Sequence, residues 1–136
     1  MATDRNDLNR IAVIGCGHVG ATSAYALLAG GVAHEIVLVD ANPAHAAGEA
    51  MDLQHAVPLA RPVRVWAGGY RDAARSCIVV IAAGVGSRPG ETRLDLLGRN
   101  VVVVRECVRG LLAEGFGGII LMTTNPVDVL AQAAQE

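Results

Sequence analysis

Aromatic residues are scarce in this chain of 136 residues: they make up 3% of it, although 52% of the residues are hydrophobic. The core must therefore be built from Val, Ile, Leu and Ala. Such a core suits a parallel sheet that is buried on both faces better than an antiparallel sheet with one face in water. The length fits a single domain, and we expect residues 1–136 to form it.

A strong excess of charge of either sign is lacking too. Eleven Lys and Arg residues against thirteen Asp and Glu residues give a net charge of −2, which argues against a nucleic-acid or anionic-membrane surface. No apolar run approaches the roughly 20 residues of a membrane-spanning helix. The polar start, residues 1–7, lacks the apolar segment of a signal peptide, so we expect a cytoplasmic protein.

The three cysteines are odd in number and lack the spacing of metal ligands, so they indicate reduced thiols rather than a disulfide framework. The four histidines share no metal-binding spacing either, and we expect no metal site.

Short apolar runs alternate with longer segments of helical periodicity along the chain. The pattern predicts strands at residues 11–14, 36–39, 63–66, 77–81 and 119–122, and helices at about 19–28, 44–55, 92–112 and 126–135. This alternation indicates an α/β fold with a doubly wound parallel sheet of the Rossmann type. That sheet has six strands in the order 3-2-1-4-5-6, so we expect five of them here, without the sixth strand and without a catalytic domain.

A glycine-rich motif, Gly15-Cys16-Gly17-His18-Val19-Gly20, lies between the first strand and the first helix. The first glycine permits a tight turn, the second lets a pyrophosphate approach the backbone, and the third lets helix and strand pack closely. The amides of the helix N-terminus then meet the phosphate charge. Cys16 and His18 could be a reactive thiol and a phosphate ligand, but the favoured interpretation is that only their backbone lies near the ligand.

Asp40 lies twenty residues beyond Gly20, at the end of the second predicted strand. A carboxylate at this place can bind the adenosine ribose hydroxyls and would repel a 2′-phosphate. The sequence therefore predicts NAD rather than NADP as the cofactor. The alternative is a purely structural turn with a capping aspartate.

Three further motifs resemble the L-lactate dehydrogenases and their malate dehydrogenase relatives. They are GVGSRPGETRLDL at residues 84–96, MDLQH at residues 51–55 and TTNPVD at residues 123–128. Their order and spacing match the family, and with the glycine motif the resemblance extends from about Arg10 to Gln132. The chain is thus identified as similar to the NAD-binding domain of this family, more to the lactate than to the malate enzymes.

The resemblance implies roles for individual residues. Arg93 corresponds to the catalytic loop arginine that closes over the substrate and polarises its ketone, and Asn125 to an asparagine that hydrogen-bonds near nicotinamide and substrate. Ser87 lies at the substrate-discriminating position, where lactate enzymes have Gln and malate enzymes have Arg. The cofactor-contact positions are Gly15, Gly17, Val19, Gly20, Asp40, Tyr70, Gly84, Val85, Thr124 and Asn125.

The resemblance also implies an activity, namely hydride transfer between NAD and a small 2-hydroxy acid, with L-lactate and pyruvate favoured. The family's proton-donating His with its Asp, and a second Arg that binds the substrate carboxylate, have no counterpart in the sequence. We therefore expect the isolated chain to be inactive. The alternative is a naturally short, noncatalytic NAD-binding or oligomerisation module; the Arg93 motif favours the first interpretation because a binder needs no substrate lid.

Two further expectations concern local geometry. The family's Asn-Pro bond implies a cis peptide at Asn125–Pro126. Residues 119–122 would form an apolar edge strand, and Met51, Leu53 and His55 an apolar helix face, so we expect a homo-oligomer.

Overall fold

The computed structural model describes residues 9–136 and shows a single sheet with helices on both faces. The polar start of the chain, in which we expect no signal peptide, lies outside the described residues, as does the beginning of the expected domain. The elements are β1 (Arg10–Ile14), α1 (His18–Gly30), β2 (Glu35–Val39), α2 (Pro43–Ala56), β3 (Arg64–Ala67), α3 (Tyr70–Ala73), β4 (Ile78–Ile81), α4 (Arg93–Ala113), β5 (Ile119–Met122) and α5 (Val127–Gln135), with a 3-10 turn at Val57–Leu59.

The five strands are all parallel and lie in the order β3-β2-β1-β4-β5. This order confirms the predicted doubly wound sheet. In the register, Ile14 lies opposite Val39 on one side and Ile81 on the other, so β1, β2 and β4 end at the same level. The winding changes direction between β1 and β4, and ligands of such sheets bind at the carboxyl ends of the strands on either side of that point.

The core forms two layers, because successive residues of a strand face opposite sides of the sheet. Ile11 and Val13 of β1 pack with buried residues of α1 and α2, such as Leu28 and Leu53. Ala12 and Ile14 belong to the opposite cluster, which contains buried residues of α4 and Leu130 of α5.

The helix starts follow from capping chemistry. The Asn42 side chain accepts a hydrogen bond from the Ala44 amide, and Pro43 is the first helical residue of α2, a position that suits proline. At α4 the Thr92 and Asp95 side chains each accept a hydrogen bond from the other's backbone amide. This capping box fixes the helix start directly before Arg93.

The structure corrects several expected helix faces. The apolar periodicity of residues 92–112 predicts that Leu94 and Leu112 lie on the buried stripe of α4, but they are 77% and 60% exposed. With 21 residues, α4 is about 31 Å long, whereas strands of four or five residues span about 13–17 Å. The helix ends therefore extend beyond the sheet.

The expectation that Met51, Leu53 and His55 form one surface face of α2 was wrong for Leu53. Leu53 is only 6% exposed and lies in the core, while Met51 is 59% exposed. Residues two apart on a helix point in nearly opposite directions, so Leu53 cannot share a surface with Met51 and His55.

Two other features bear on the expectations. The Asn125–Pro126 peptide bond is cis, as predicted. Among residues 9–136, no helix has both the length and the apolar character that crossing a membrane requires.

Candidate functional site

The glycine loop, residues 15–20, is shaped by two glycines that could not carry side chains. Gly15 has a φ of +92°, and a β-carbon on it would lie 2.4 Å from the Ala83 amide nitrogen. A β-carbon on Gly20 would lie 1.7 Å from the carbonyl oxygen of Gly15. At Gly17, by contrast, a β-carbon would meet no atom of the described residues within 4 Å. Gly15 and Gly20 therefore pack the loop against the sheet, whereas Gly17 faces open space.

The N-terminus of α1 begins directly after this open position. Gly17 is the N-cap residue, and among residues 9–136 no side chain caps the helix or places a negative charge in its first turn. The first amides of a helix lack partners within the helix and carry a partial positive charge. The end of the helix that follows Gly17 is thus suited to an anion that approaches closely.

Asp40 follows β2 and faces the same loop. Its Oδ2 accepts a hydrogen bond from the Cys16 amide and its Oδ1 accepts one from the Asn42 amide, each at 2.9 Å. These two bonds fix the carboxylate at the end of the sheet. Each carboxylate oxygen can accept a second hydrogen bond, so the group still has acceptor capacity for hydroxyls of a ligand.

A first cavity of about 420 Å³ opens at the carboxyl ends of β1, β2 and β4. It brings together most of the expected cofactor residues. Its lining includes Gly15, Gly17, Asp40, His45, Tyr70, Ala83, Gly84, Val85 and Cys107. Of the expected residues that are outside this lining, Val19 is exposed on the first turn of α1 and Gly20 is buried beneath the loop.

The Cys16 side chain faces the core rather than the cavity. It is 1% exposed, and burial, followed by the charges of Asp40 and Glu49, raises the pKa of its thiol to about 12. The thiol is therefore protonated at neutral pH and is no nucleophile. Only the Cys16 backbone takes part in the site, which agrees with the favoured interpretation of the motif.

His45 was not expected at the site. Its Nε2 lies 2.7 Å from the carbonyl oxygen of Cys16, so the first turn of α2 contacts the glycine loop as Asp40 does. The spacing of the histidines in the sequence does not indicate this contact. Only the start of α2 at Pro43 indicates that His45 lies near the loop.

Tyr70 of α3 forms another part of the cavity wall. Burial, with a contribution from the neighbouring Cys107 thiol, raises the pKa of its hydroxyl. The hydroxyl is thus protonated at neutral pH and can donate a hydrogen bond.

A second cavity of about 450 Å³ lies between the start of α4 and the turn after β5. Arg93 and Asn125, distant in sequence, both line it, together with Leu94, Leu96, Leu97, Asn100 and Pro126. Arg93 is exposed at the first position of α4, so its guanidinium is accessible to a ligand. The structure thus brings together two of the three residues expected to contact substrate.

Two side chains connect the walls of the cavities. The Asn100 side chain is buried and its Oδ1 accepts a hydrogen bond from the Val85 amide at 2.8 Å. The Thr124 hydroxyl donates to the carbonyl oxygen of Ala83 at 2.7 Å. Asn100 was missed because it lies inside an apolar helix stripe, where the sequence shows only an interruption.

Ser87 is not brought to either cavity. It is exposed at the tip of the loop between β4 and α4, where the sole hydrogen bond of its hydroxyl to a described residue is a long one of 3.5 Å to the carbonyl oxygen of Arg88. Within residues 9–136 there is also no group of three or more His, Cys, Asp and Glu side chains that could hold a metal ion.

Comparisons with known proteins match this geometry. Residues 9–136 match the family model of the lactate/malate dehydrogenase NAD binding domain. L-lactate dehydrogenase 2 of Bacillus cereus is 50% identical over 127 residues, which are 93% of this chain and 40% of that protein. The same figures hold for L-lactate dehydrogenase 1 of Bacillus cereus. The chain therefore spans about 40% of the length of the curated relatives it matches.

The chain also resembles solved structures of lactate dehydrogenases. A lactate dehydrogenase from a Medee basin deep-sea metagenome library has a TM-score of 0.91 at 42% identity, over 94% of this chain and 41% of the other. The minor L-lactate dehydrogenase of Enterococcus mundtii in its ligands-bound form also has a TM-score of 0.91, at 39% identity over 94% of this chain and 41% of the other. Its ligands-unbound form gives 0.78.

Proposed function

Because this chain belongs to the lactate/malate dehydrogenase NAD-binding domain family, we propose that it is the NAD-binding portion of an enzyme that transfers hydride between NAD and a small 2-hydroxy acid. The observation that carries the proposal is the convergence of the glycine loop, Asp40 and the Arg93–Asn125 cavity at the carboxyl edge of one sheet. The chain matches about 40% of its relatives, so the reaction is proposed for the whole protein.

The residues of the first cavity fit a dinucleotide. The open space at Gly17 admits a pyrophosphate to the N-terminus of α1. The free lone pairs of Asp40 suit ribose hydroxyls. We assign the remaining contacts to Gly15, Val19, Gly20, Tyr70, Gly84, Val85, Thr124 and Asn125. Bound NAD would supply the hydride acceptor.

The second cavity would hold the 2-hydroxy or 2-oxo acid. Arg93 would stabilise the negative charge that develops on the ketone oxygen during hydride transfer, and Asn125 would orient the same end of the substrate. Ser87 carries no cation to pair with a second carboxylate, and this favours L-lactate and pyruvate over malate and oxaloacetate. Since the adjacent Arg88 does carry a charge, malate remains the second candidate.

A noncatalytic binding or oligomerisation module is the alternative. The shared cavity of Arg93 and Asn125 favours the dehydrogenase, because neither residue is needed to hold a dinucleotide alone. The described residues bring no histidine to that cavity, so we propose that the isolated chain is inactive.

We further propose that residues 1–136 are one domain of a cytoplasmic protein that binds neither nucleic acid nor membranes. The three cysteines, Cys16, Cys77 and Cys107, form no disulfide, which fits a reducing compartment. The net charge of −2 offers little attraction to phosphate backbones or anionic lipids.

The cofactor is tested by calorimetric titration of the chain with NADH and NADPH. We expect NADH to bind more tightly, because the Asp40 carboxylate repels a 2′-phosphate. At about 100 times its dissociation constant, NADH should add about 2.7 kcal/mol to the free energy of unfolding. In Asp40→Asn the preference should fall about tenfold, which corresponds to about 1.4 kcal/mol. Asp52→Asn, an exposed carboxylate on α2, is the control; equal affinity of the unmodified chain for both cofactors would refute the role of Asp40.

Strand β5 leads us to propose a homo-oligomer. Ile119 and Leu121 are 64% and 51% exposed, and β5 pairs only with β4 among the described strands. An apolar edge with unpaired backbone groups recruits another strand, and a second copy supplies the same edge by two-fold symmetry. Helix α5 packs against α4 on the other face, through the buried Leu130, and does not cover these two side chains.

Sedimentation at micromolar concentration tests this proposal. We expect a dimer for the unmodified chain and a monomer for Leu121→Lys, because a buried lysine opposes the contact. Val32→Lys is the matched control, since Val32 is 58% exposed and lies between α1 and β2. A strictly monomeric unmodified chain would show that the exposed edge does not drive association.

A further inference from the structure

The loop between β4 and α4 is tied to the helix by a group of polar contacts that none of the roles above requires. Arg99 of α4 donates from Nε to Glu91 Oε1 at 2.6 Å and from Nη2 to Glu91 Oε2 at 2.8 Å. The same Nη2 donates to the carbonyl oxygen of Gly86 at 2.8 Å. Glu91 Oε2 also accepts from the Arg88 amide at 2.8 Å. We call Arg99, Glu91 and the two backbone groups they hold the Arg99–Glu91 clamp.

The ion pair of the clamp lies near the surface, but its side chains are largely shielded from water. The Glu91 side chain is 8% exposed and the Arg99 side chain 26%. Exposed pairs contribute little to stability, but a guanidinium that meets both carboxylate oxygens is the strong and directional form of the contact.

The Glu91 carboxyl group is ionised at neutral pH. Its hydrogen bond with Arg99, followed by the Arg88 amide, lowers the pKa of Glu91 from 4.5 to about 2. A lowered carboxyl pKa means that the stabilisation is fully present above pH 4.5 and is lost as the pH falls towards 2. The Glu91 carboxylate is therefore charged at neutral pH and can accept the hydrogen bonds of the clamp.

The next residue of the helix extends the same attachment. Asn100 accepts a hydrogen bond from the Val85 amide, so adjacent residues of α4 hold Val85 and Gly86. Ser87, Pro89 and Gly90 make no hydrogen bond to α4 within the part of the chain that the structure describes. The loop thus consists of a base, residues 84–86, attached to α4, and a tip, residues 87–90, whose backbone bonds go from Arg88 to Glu91 and not to the helix.

We propose that Arg99 is a positioning residue that, through Glu91 and the carbonyl oxygen of Gly86, keeps the base of the loop in the conformation that forms the cofactor cavity and confines loop movement to the tip. The proposal rests on the proposed function, because Gly84 and Val85 belong to the wall of the first cavity. A wall that is already ordered need not be ordered by the ligand, and this avoids an entropic cost of binding.

Three variants of Arg99 and Glu91 test the proposal in the chain itself. We expect Arg99→Met to weaken NADH binding about tenfold and to accelerate hydrogen exchange at the Val85 and Arg88 amides. Exchange in β1, β2 and β4 should not change. Glu91→Gln should act in the same direction and serves if Arg99→Met folds poorly. Arg99→Lys should restore part of the affinity, because an ammonium group can pair with Glu91 but cannot bridge both oxygens and Gly86.

Arg109→Met is the matched control, since Arg109 is exposed on the same helix and forms no ion pair with any residue from 9 to 136. It should bind NADH as the unmodified chain does. If the unmodified chain binds NADH and both Arg99→Met and Glu91→Gln bind equally well with unchanged exchange, the positioning role is refuted and the proposed function stands. If the unmodified chain does not bind NADH, the proposed function fails and the positioning role with it.

Discussion

Gly20→Ala is expected to destabilise the fold by about 3 kcal/mol or more, whereas the same change at Gly17 should leave the chain folded and weaken cofactor binding. The difference follows from what a β-carbon would meet. At Gly20 it would lie 1.7 Å from the Gly15 carbonyl oxygen, and backbone atoms cannot rotate away as a side chain can. Either α1 or the glycine loop must move, which disturbs the central strand β1.

Gly17→Ala separates binding from stability. Its β-carbon would enter open space, so the fold should lose at most about 1 kcal/mol, through the weaker N-cap. The added methyl group would occupy the place proposed for the pyrophosphate, and NADH affinity should fall at least about tenfold. Urea unfolding and calorimetric titration measure the two effects separately.

Gly48→Ala provides the control for glycine replacement as such. Gly48 lies within α2, where a β-carbon would meet nothing within 4 Å, so alanine should stabilise the helix by about 1 kcal/mol without affecting NADH. Unchanged NADH affinity in Gly17→Ala would place the pyrophosphate elsewhere.

The sheet could be predicted from the sequence because its determinants are local. The run at residues 119–122 coincides with β5 as observed, and Asn42-Pro43 marks the start of α2 through its own capping chemistry. The strand order follows once the alternation of strands and helices is recognised, since right-handed connections leave few topologies. Helix α3 was missed, because four residues are little more than one turn and show no periodicity.

Parts of the candidate site could not be predicted, because they depend on contacts between distant residues. His45 contacts Cys16 from the next helix, and Asn100 contacts Val85 across a loop. In the sequence, His45 looks no different from a surface histidine, and Asn100 looks no different from an isolated polar residue in a helix. The Arg99–Glu91 clamp was missed for the same reason. A single sequence indicates backbone features such as the glycine loop. It does not show which distant residue a given side chain contacts.

The isolated chain is expected to show no lactate or malate dehydrogenase activity. When hydride leaves the carbon of a 2-hydroxy acid, the hydroxyl proton must pass to a base, and such a base typically contributes about 10²–10⁴-fold to the rate. Of the described residues that line the Arg93–Asn125 cavity, none is a histidine or a carboxylate. His45 faces the glycine loop and His34 contacts Asn9, so neither is placed to take the proton.

The assay follows NADH formation from L-lactate and from malate at saturating NAD, with an intact L-lactate dehydrogenase as the positive control. The matched control is the Arg93→Met chain, purified in the same way, because a contaminating dehydrogenase would give both preparations the same rate. We expect both chains to remain at the background of the assay, even where calorimetry shows that NAD is bound. Activity that is present in the unmodified chain and lost in Arg93→Met would mean that the residues of this domain complete the reaction without a histidine in the cavity, and the proposal of an inactive chain would then be wrong.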